Sequence, residues 1–273
     1  NIPITDAYEK AVNLIKVEYE ALPVITDVEE AIKPEAWPIH EGGNIVGTSR
    51  AEAGNVDEAF QECDYVFEDR YTTQAIHHAA IEPHVAIADF APNGKLTVYS
   101  PCQNTFAFRV IMSRIFGLSY NRIRMVAPAI GGAFGGKLEV TVEPVAAVLS
   151  QMTGKPVKVE YNRKESILST RVRHASVNYV KTGFMKDGTL KAVDFKVYTN
   201  TGAYASSALN VSGAMSHKVF KAYKIDHMRF QCQPVYTNTE IAGAMRGYGS
   251  PQVYFGWQRQ MQKIADFLHM DMA

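Results

Sequence analysis

A glycine-rich stretch near the middle of the chain constrains the fold more than any other feature of the sequence. Four glycines stand within residues 131–136, after an apolar run (123–126) typical of a short strand and before a run (143–153) typical of a buried helix. Glycine permits positive φ and a close approach of the backbone, where exposed N–H groups can bind an anion. The sequence therefore predicts a tight loop between a strand and a helix, with a packed turn that binds nothing as the simpler alternative.

The stretch does not match the phosphate-binding loops of nucleotide enzymes. A Walker loop requires GxxxxGK followed by Ser or Thr, but Leu138 follows Lys137 here. A dinucleotide fingerprint requires GxGxxG, which GGAFGG does not provide. Phe134 lies between the two glycine pairs, and an aromatic side chain at that point favours packing or contact with a ligand.

Two further segments combine polar donors with turn residues. Arg246 and Tyr248 lie in AGAMRGYGSPQ, directly before the last predicted helix, where an arginine offers a rigid fork of donors for phosphate or carboxylate. Gln103 lies in SPCQNT, at the end of a predicted strand, and its amide could donate to a bound oxo group. In isolation, an exposed loop arginine explains the first segment equally well, and a turn or N-cap explains the second better.

Three histidines and a carboxylate stand close together in HHAAIEPH. His77, His78, Glu82 and His84 superficially resemble a metal site. Because the region is typical of a strand, in which neighbouring residues face opposite ways, we favour polar pairs at a strand end over zinc.

Composition excludes several classes of function. Lys plus Arg and Asp plus Glu each number 28, so no charge excess points to nucleic acid or to an acidic membrane surface. No apolar run approaches the roughly 20 residues that span a bilayer, and the N-terminus has no secretory pattern. Cys63, Cys102 and Cys232 have no ligand spacing, which indicates reduced thiols in a cytoplasmic protein and no iron–sulfur cluster on this chain. The sequence does not begin with Met, and its first residues already belong to a pattern that starts without a preceding turn or linker. This favours a processed chain or a fragment.

Periodicity predicts a mixed α+β fold. The Asn93-Gly94 and Asp187-Gly188 pairs predict turns between strands, and a shift to Pro, Gly, Asn and Glu over residues 34–54 predicts a linker. Helices are predicted over residues 6–15, 28–32, 106–116, 143–153 and 252–268, the first with Thr5 as its N-cap and the third and fourth ending at Gly117 and Gly154. Strands are predicted over residues 65–74, 85–90, 96–99, 123–126, 157–161, 177–185 and 190–199, with extended pieces at 17–19 and 23–25.

In this order, the segments resemble the molybdopterin-binding large subunit of the xanthine oxidase family, which includes xanthine dehydrogenases, aldehyde oxidoreductases, nicotinate dehydrogenase and carbon monoxide dehydrogenase. The motifs that carry the resemblance span essentially the whole chain: VEYEALPVITDVEEAI, HHAAIEPH, SPCQNT, NRIRMVAPAIGGAFGGK, RVRHASVNYVKTGFMKDGTLKAV, TGAYA and AGAMRGYGSPQ. The resemblance implies the end of an α/β hammerhead domain at residues 1–34, a linker at 35–54 and the first molybdopterin-binding α+β domain at 55–273. The second such domain is absent from this chain.

The resemblance also implies roles for individual residues. Gln103 matches the glutamine that hydrogen-bonds the oxo ligand of molybdenum, Phe134 lies in the loop that passes the metal and the pterin, and Arg246 matches an arginine near cofactor and substrate. These three are the expected catalytic residues, and the metal is expected to be held through the pterin rather than by a side chain. The expected cofactor-binding residues are Gln103, Gly132, Ala133, Phe134, Gly135, Arg246 and Gly247, and the expected substrate-binding residues are Leu138, Arg246 and Tyr248.

The implied reaction is hydroxylation of an electron-poor carbon with water. The implied cofactor is molybdenum with molybdopterin, with the cytosine dinucleotide form as an alternative, and electrons are expected to leave through iron–sulfur clusters and FAD on partner subunits. The family's general base is a glutamate in a GxGE motif, which this chain lacks. A second molybdopterin-binding chain or segment is therefore an expected partner in a cytoplasmic hetero-oligomer.

The substrate is less constrained than the reaction. Purine-specific relatives of the animal type carry a glutamate directly after GGK and an arginine farther along, but Leu138 and Ala214 stand at these positions here. The motifs are most similar to bacterial xanthine dehydrogenases and nicotinate dehydrogenase, and Tyr248 suits a planar ring. We expect an N-heteroaromatic substrate such as nicotinate or xanthine, with an aldehyde as the alternative. A non-catalytic scaffold is a further alternative, which the intact Gln103, Phe134 and Arg246 disfavour.

Overall fold

Two β-sheets packed against helices organise residues 10–272, which are the residues that the computed structural model describes. The strands are β1 (Ser49–Ala53), β2 (Tyr65–Thr73), β3 (Val85–Phe90), β4 (Leu96–Tyr99), β5 (Ile123–Val126), β6 (Val157–Glu160), β7 (Val172–Arg173), β8 (Ser176–Phe184), β9 (Leu190–Gly202), β10 (His227–Tyr236) and β11 (Ala242–Gly243). The helices are α1 (Val28–Ala31), α2 (Val56–Gln61), α3 (Thr105–Phe116), α4 (Glu143–Thr153), α5 (Arg163–Ser169), α6 (Ala208–Lys218) and α7 (Ser250–Leu268), with a 3-10 turn at Tyr120–Arg122.

The larger sheet has five strands in the order β1-β10-β9-β8-β2. All its neighbours are antiparallel except β9 and β10, which run parallel and are joined through α6. Helices α6 and α7 cover one face, where Trp257, Phe195, Phe230 and Met215 are almost completely buried. Burial of such large apolar side chains contributes about 1.5–3 kcal/mol each, so this core holds the helices against the sheet.

The smaller sheet has four strands in the order β5-β4-β3-β6, and only β4 and β5 are parallel. Helices α3 and α4 pack on it through a core that includes Leu96, Val98, Met112, Ala146 and Ala147. The small residues of α4 permit its close approach to β3. This packing places the N-terminus of α3, the end of β5 and the start of α4 at one edge.

A short parallel pair joins two segments that are distant in sequence. Val172 pairs with Ala242 and Arg173 with Gly243, so β7 and β11 lie side by side. The chain then continues from β11 directly into the MRGYGS segment, which leads to α7. The RVRH and AGAMRG motifs therefore meet because of this pairing.

Most of the predicted elements are present. The strands predicted over 65–74, 85–90, 96–99, 123–126, 157–161, 177–185 and 190–199, and the helices over 106–116, 143–153 and 252–268, are confirmed within three residues. The Asp187-Gly188 turn joins β8 to β9, and Gly117 and Gly154 end α3 and α4 in the left-handed conformation. Within the described residues the first predicted helix spans only 10–14, its cap Thr5 lies outside them, and residues 17–19 and 23–25 form no strand.

Three helices (α2, α5 and α6) and four strands (β1, β7, β10 and β11) were not predicted from the sequence. Helix α6 has the sequence ALNVSGAMSHK, whose Ser, Gly and Asn residues are poor helix formers, and its stability comes from the buried face. Strands β1 and β10 carry Arg, Glu and Gln between small or apolar residues, which weakens the strand signal. Consequently β1, an edge strand of the larger sheet, lies inside the segment that was predicted to be a linker. Helix α2 is too short for its period to be recognised.

None of the helices within residues 10–272 is both long enough and apolar enough to cross a membrane. The three cysteines are free thiols, and Cys102 and Cys232 are buried.

Candidate functional site

The glycine-rich loop projects from the smaller sheet between β5 and α4. At its tip Phe134 has a positive φ of 51° and a side chain that is 48% exposed, although it is aromatic. The backbone N–H of Phe134 has no acceptor within the described part of the chain. A left-handed, exposed phenylalanine costs free energy, which favours a contact with a ligand at this point.

The first loop is in direct contact with the MRGYGS segment, here called the second loop (residues 245–250). The backbone N–H of Arg246 donates to the carbonyl of Phe134 at 2.9 Å. A Cβ at Gly135 would lie 2.4 Å from the carbonyl oxygen of Ala244, and the φ of Gly135 is +103°. Only glycine permits this approach, so the two loops fix each other's position.

Gln103 completes the arrangement from a third segment. Its backbone N–H donates to the carbonyl of Lys137 at 2.9 Å, and its side-chain Oε1 accepts from the N–H of Gly135 at 3.0 Å. The next residue, Asn104, caps α3 by accepting from Ala107, as the polar SPCQNT segment predicted. With Oε1 used by the loop, the amide N–H₂ of Gln103 has no protein acceptor in the described chain and is free to donate to a ligand.

The second loop is held from below by Arg173 of β7. The guanidinium of Arg173 donates to the carbonyl of Arg246 at 2.7 Å and to Oε1 of Gln252 at 3.2 Å. Arg246 itself is exposed, and its guanidinium has no partner among residues 10–272. A buried arginine therefore fixes the backbone of a second arginine, whose five donors are available to an anion.

An open depression of about 520 Å³ lies between the two loops. Its lining residues are His78, Phe134, Arg173, Met245, Arg246, Gly247 and Pro251. Of the three expected catalytic residues, Phe134 and Arg246 line the depression although they are more than a hundred residues apart, and Gln103 is tied to the first loop through Gly135. Of the other expected cofactor-binding residues, Gly132, Ala133, Gly135 and Gly247 lie in the same two loops.

Of the expected substrate-binding residues, Arg246 lines this depression, whereas Tyr248 and Leu138 are not among its lining residues. Tyr248 is half-buried with a positive φ of 46°, and Leu138 is half-buried directly after the first loop. Glu139 follows Leu138, and its carboxylate accepts from the hydroxyl of Ser206 at 2.7 and 2.6 Å and lies 3.4 Å from Arg171. Burial raises the pKa of Tyr248, and the negative charge of Glu139 raises it further.

The HHAAIEPH segment is an irregular connection between β2 and β3, so the strand geometry predicted for it is wrong. Nε2 of His78 lies 2.7 Å from the carbonyl of Ala244, and Nε2 of His84 lies 3.0 Å from the carbonyl of Gly136. Burial lowers the pKa of both histidines below the usual range, so each is a neutral donor to one of the two loops. Within residues 10–272, no three His, Cys, Asp or Glu side chains converge to hold a metal ion directly.

Several residues of the site were missed at the level of sequence. Arg173, Glu139 and Ser206 were assigned no role from the sequence, because each acts through a contact between segments that only the fold brings together. His78 and His84 did carry a signal, as members of a polar cluster, but their partners are carbonyl groups, which leave no trace in a sequence.

A family model for the molybdopterin cofactor-binding domain matches residues 39–273. The chain belongs to this family. The molybdopterin-binding domain is 37% identical to the xanthine dehydrogenase molybdenum-binding subunit of Escherichia coli O157:H7 over 96% of this chain and 35% of that protein. It is 36% identical to the nicotinate dehydrogenase large molybdopterin subunit of Eubacterium barkeri over 97% of this chain and 63% of that protein.

The fold has a close counterpart among solved structures. Aldehyde oxidoreductase from Desulfovibrio gigas superimposes with a TM-score of 0.89 at 30% identity, over 97% of this chain and 29% of that one. The domain therefore spans about a third of the length of the xanthine dehydrogenase subunit and of the aldehyde oxidoreductase. These comparisons confirm the family that the motifs predicted and its α+β fold.

The residues at the depression fit one side of a pterin cofactor. The free amide of Gln103, the unpaired N–H of Phe134 and the free guanidinium of Arg246 are donors suited to oxo, carbonyl and phosphate oxygens. The exposed ring of Phe134 adds an apolar surface. His78 is the one histidine that lines the depression, and its Nε2 is already bonded to the carbonyl of Ala244.

Proposed function

We propose that this domain forms one wall of the active site of a molybdenum hydroxylase and acts on an N-heteroaromatic substrate. One observation carries the proposal: the bonds from Arg246 to Phe134 and from Gly135 to Gln103 bring three donor-bearing segments to one exposed depression. When bound, the cofactor supplies the redox chemistry by which an electron-poor C–H and water become C–OH, with two electrons and two protons released.

The residues of this chain bind and orient rather than transfer protons. Gly135 orients the amide of Gln103, whose free N–H₂ would donate to an oxygen of the bound cofactor. The exposed ring of Phe134 would exclude water from the bound cofactor, while Arg246 would neutralise negative charge of the cofactor or of a substrate carboxylate. Gly132, Ala133, Gly135 and Gly247 permit the close approach of the backbone.

The remaining half of the site is proposed to lie on another segment or chain. Ile81 is 91% exposed and Ile130 is 40% exposed, and both stand beside the first loop. Apolar side chains of this size at the rim of a donor-lined depression support a covering partner. We propose that this partner is the second molybdopterin-binding domain, which brings the glutamate base. Iron–sulfur and FAD subunits complete a cytoplasmic hetero-oligomer.

The substrate proposal rests on the surroundings of Tyr248. Its ring offers a flat apolar surface to a planar ring, and the carboxylate of Glu139, which follows Leu138 at the end of the first loop, offers acceptors. Ser206 and Arg171 occupy only part of the four lone-pair positions of this carboxylate, which leaves room for a ring N–H. A purine has ring N–H groups that can donate to this carboxylate. Nicotinate instead carries a carboxylate of its own, which requires a positively charged partner such as Arg171 or Arg246. An aldehyde uses neither feature and stays the second candidate.

The test is the composition and activity of the native complex. We expect molybdenum and pterin in stoichiometric amounts, a partner chain with the missing glutamate, and turnover of xanthine or nicotinate in preference to benzaldehyde. Turnover of the aldehyde alone would replace the substrate proposal with the second candidate. A complete native complex that contains neither metal nor pterin would contradict the hydroxylase proposal and favour the scaffold.

The substrate contact has a separate test. Glu139→Gln keeps the shape of the side chain and removes its charge, so kcat/KM for xanthine should fall about 10- to 100-fold, as expected for the loss of a charge-assisted hydrogen bond. Ser206→Ala leaves the charge in place and is the matched control, with a smaller loss. Equal activity of wild type and Glu139→Gln on xanthine would show that the carboxylate does not contact the ring.

A further inference from the structure

A single carboxylate closes the base of the first loop. Oε2 of Glu82, in the connection between β2 and β3, accepts from the N–H of Gly131 at 3.0 Å and from Nζ of Lys137 at 2.6 Å. The backbone N–H of Glu82 donates in turn to the carbonyl of Gly131 at 3.0 Å. The residues at the two ends of the loop are therefore tied to one side chain that belongs to neither loop.

The ion pair is shielded from water on the lysine side. The side chain of Lys137 is 4% exposed and that of Glu82 is 32% exposed. Burial by itself raises the pKa of Glu82, but the hydrogen bonds from Lys137 and Gly131 outweigh burial and lower it, so the carboxylate is ionised at neutral pH. An ammonium group at this depth needs a counter-charge, and Glu82 is its only partner in the described chain.

The pair is linked to the ligand-facing groups through the backbone of Lys137. Its carbonyl accepts from the N–H of Gln103 at 2.9 Å, so the position of Lys137 determines the position of Gln103. The neighbouring carbonyl of Gly136 bonds to His84, two residues after Glu82. A displacement of Lys137 is therefore transmitted to Gln103 on one side and to the tip of the loop on the other.

We propose that the Glu82–Lys137 ion pair is a positioning pair for the cofactor site, which sets the shape of the first loop and the placement of Gln103. The proposal rests on the function proposed above. Neither side chain contacts the cofactor, and both act through the loop backbone. The balance of the two opposite charges matters as well as the hydrogen bonds. If either charge were left unpaired at the base of the loop, it would draw water into the loop.

The experiment compares three variants of the native complex with one control variant in a different, exposed ion pair. Glu82→Gln keeps an acceptor for Gly131 and removes the charge, Lys137→Gln removes the opposite charge, and the double variant makes both neutral. Glu160→Gln is the matched control, because Lys158 and Glu160 form a 2.5 Å pair with side chains 55% and 52% exposed. The measurements are bound molybdenum and pterin per complex, the rate of pterin release into buffer, and the midpoint of thermal unfolding.

We expect each single variant to release pterin about 10- to 100-fold faster than wild type, as is usual when a group that orients a ligand-binding residue is lost. The double variant should recover most of the retention, since a neutral pair needs no counter-charge. The control should match wild type. A merely structural pair would instead lower the unfolding midpoint and leave the release rate of folded molecules unchanged.

The outcomes separate this proposal from the proposed function. Loaded wild type together with equal pterin release by Glu82→Gln and Glu160→Gln would overturn the positioning role alone, whereas a complete wild-type complex without pterin would overturn the function. If the single variants do not fold, hydrogen exchange of the wild-type complex decides the matter. After the pterin has been released, the amide of Gly131 must exchange far more slowly than that of Phe134, and equally fast exchange would overturn the proposal.

Discussion

Replacing Gly135 by alanine tests the contact between the two loops. The new Cβ would lie 2.4 Å from the carbonyl oxygen and 2.7 Å from the carbonyl carbon of Ala244, in a backbone conformation with φ +103°. The backbone strain contributes about 1–3 kcal/mol. Separating the loops also breaks the hydrogen bonds from Arg246 to Phe134 and from Gly135 to Gln103, at about 1 kcal/mol each. We therefore expect Gly135→Ala to lower the free energy of unfolding by about 3–5 kcal/mol.

The assay is urea denaturation of the purified protein, with linear extrapolation to water. Gly154→Ala is the control, because Gly154 also has a positive φ, of 65°, but a Cβ there meets nothing within 4 Å. The control should cost about 1 kcal/mol, the backbone component alone. The reasoning is refuted if Gly135→Ala is no more destabilising than Gly154→Ala, since the loops would then not be in contact.

Three further results are expected. Burial lowers the pKa of His174 from 6.5 to about 4. The free energy of unfolding should therefore be full above pH 6.5 and should fall by about 3 kcal/mol as the pH drops towards 4. Urea midpoints across that range measure the change, and a flat profile would contradict the burial of a neutral His174. Arg173→Met leaves the acceptors of Arg246 and Gln252 unpaired and should cost about 2–3 kcal/mol in the same assay, whereas an unchanged midpoint would show that Arg173 does not support the second loop. Phe134→Ala should cost less than about 1 kcal/mol, because the side chain is 48% exposed, yet it should reduce the molybdenum content of the native complex, and full retention would exclude a cofactor contact.

The fold could be predicted where local chemistry and burial agree. The long strands β2, β8 and β9 and the apolar helix α4 have clear periods, and the turn at Asp187-Gly188 needs glycine for its backbone. Helix α6 and strand β10 could not be predicted because their stability depends on contacts with Trp257 and Phe195, which lie far away in sequence.

The candidate site could be predicted in part. The glycines and Phe134 gave a local signal of an unusual loop, and the family motifs added Gln103 and Arg246. The supporting contacts could not be predicted, since they join side chains to backbone carbonyls, as with His78 and Ala244. A carbonyl group is present at every residue, so its use as an acceptor leaves no pattern in the sequence.

The most direct test of the account is an anomalous difference map, recorded at the molybdenum absorption edge, from crystals of the native complex. The account predicts one metal peak at the depression between the loops, with the amide of Gln103 donating to a ligand of the metal and the ring of Phe134 facing it. A metal peak elsewhere in the complex, with Gln103, Phe134 and Arg246 all facing solvent, would contradict it.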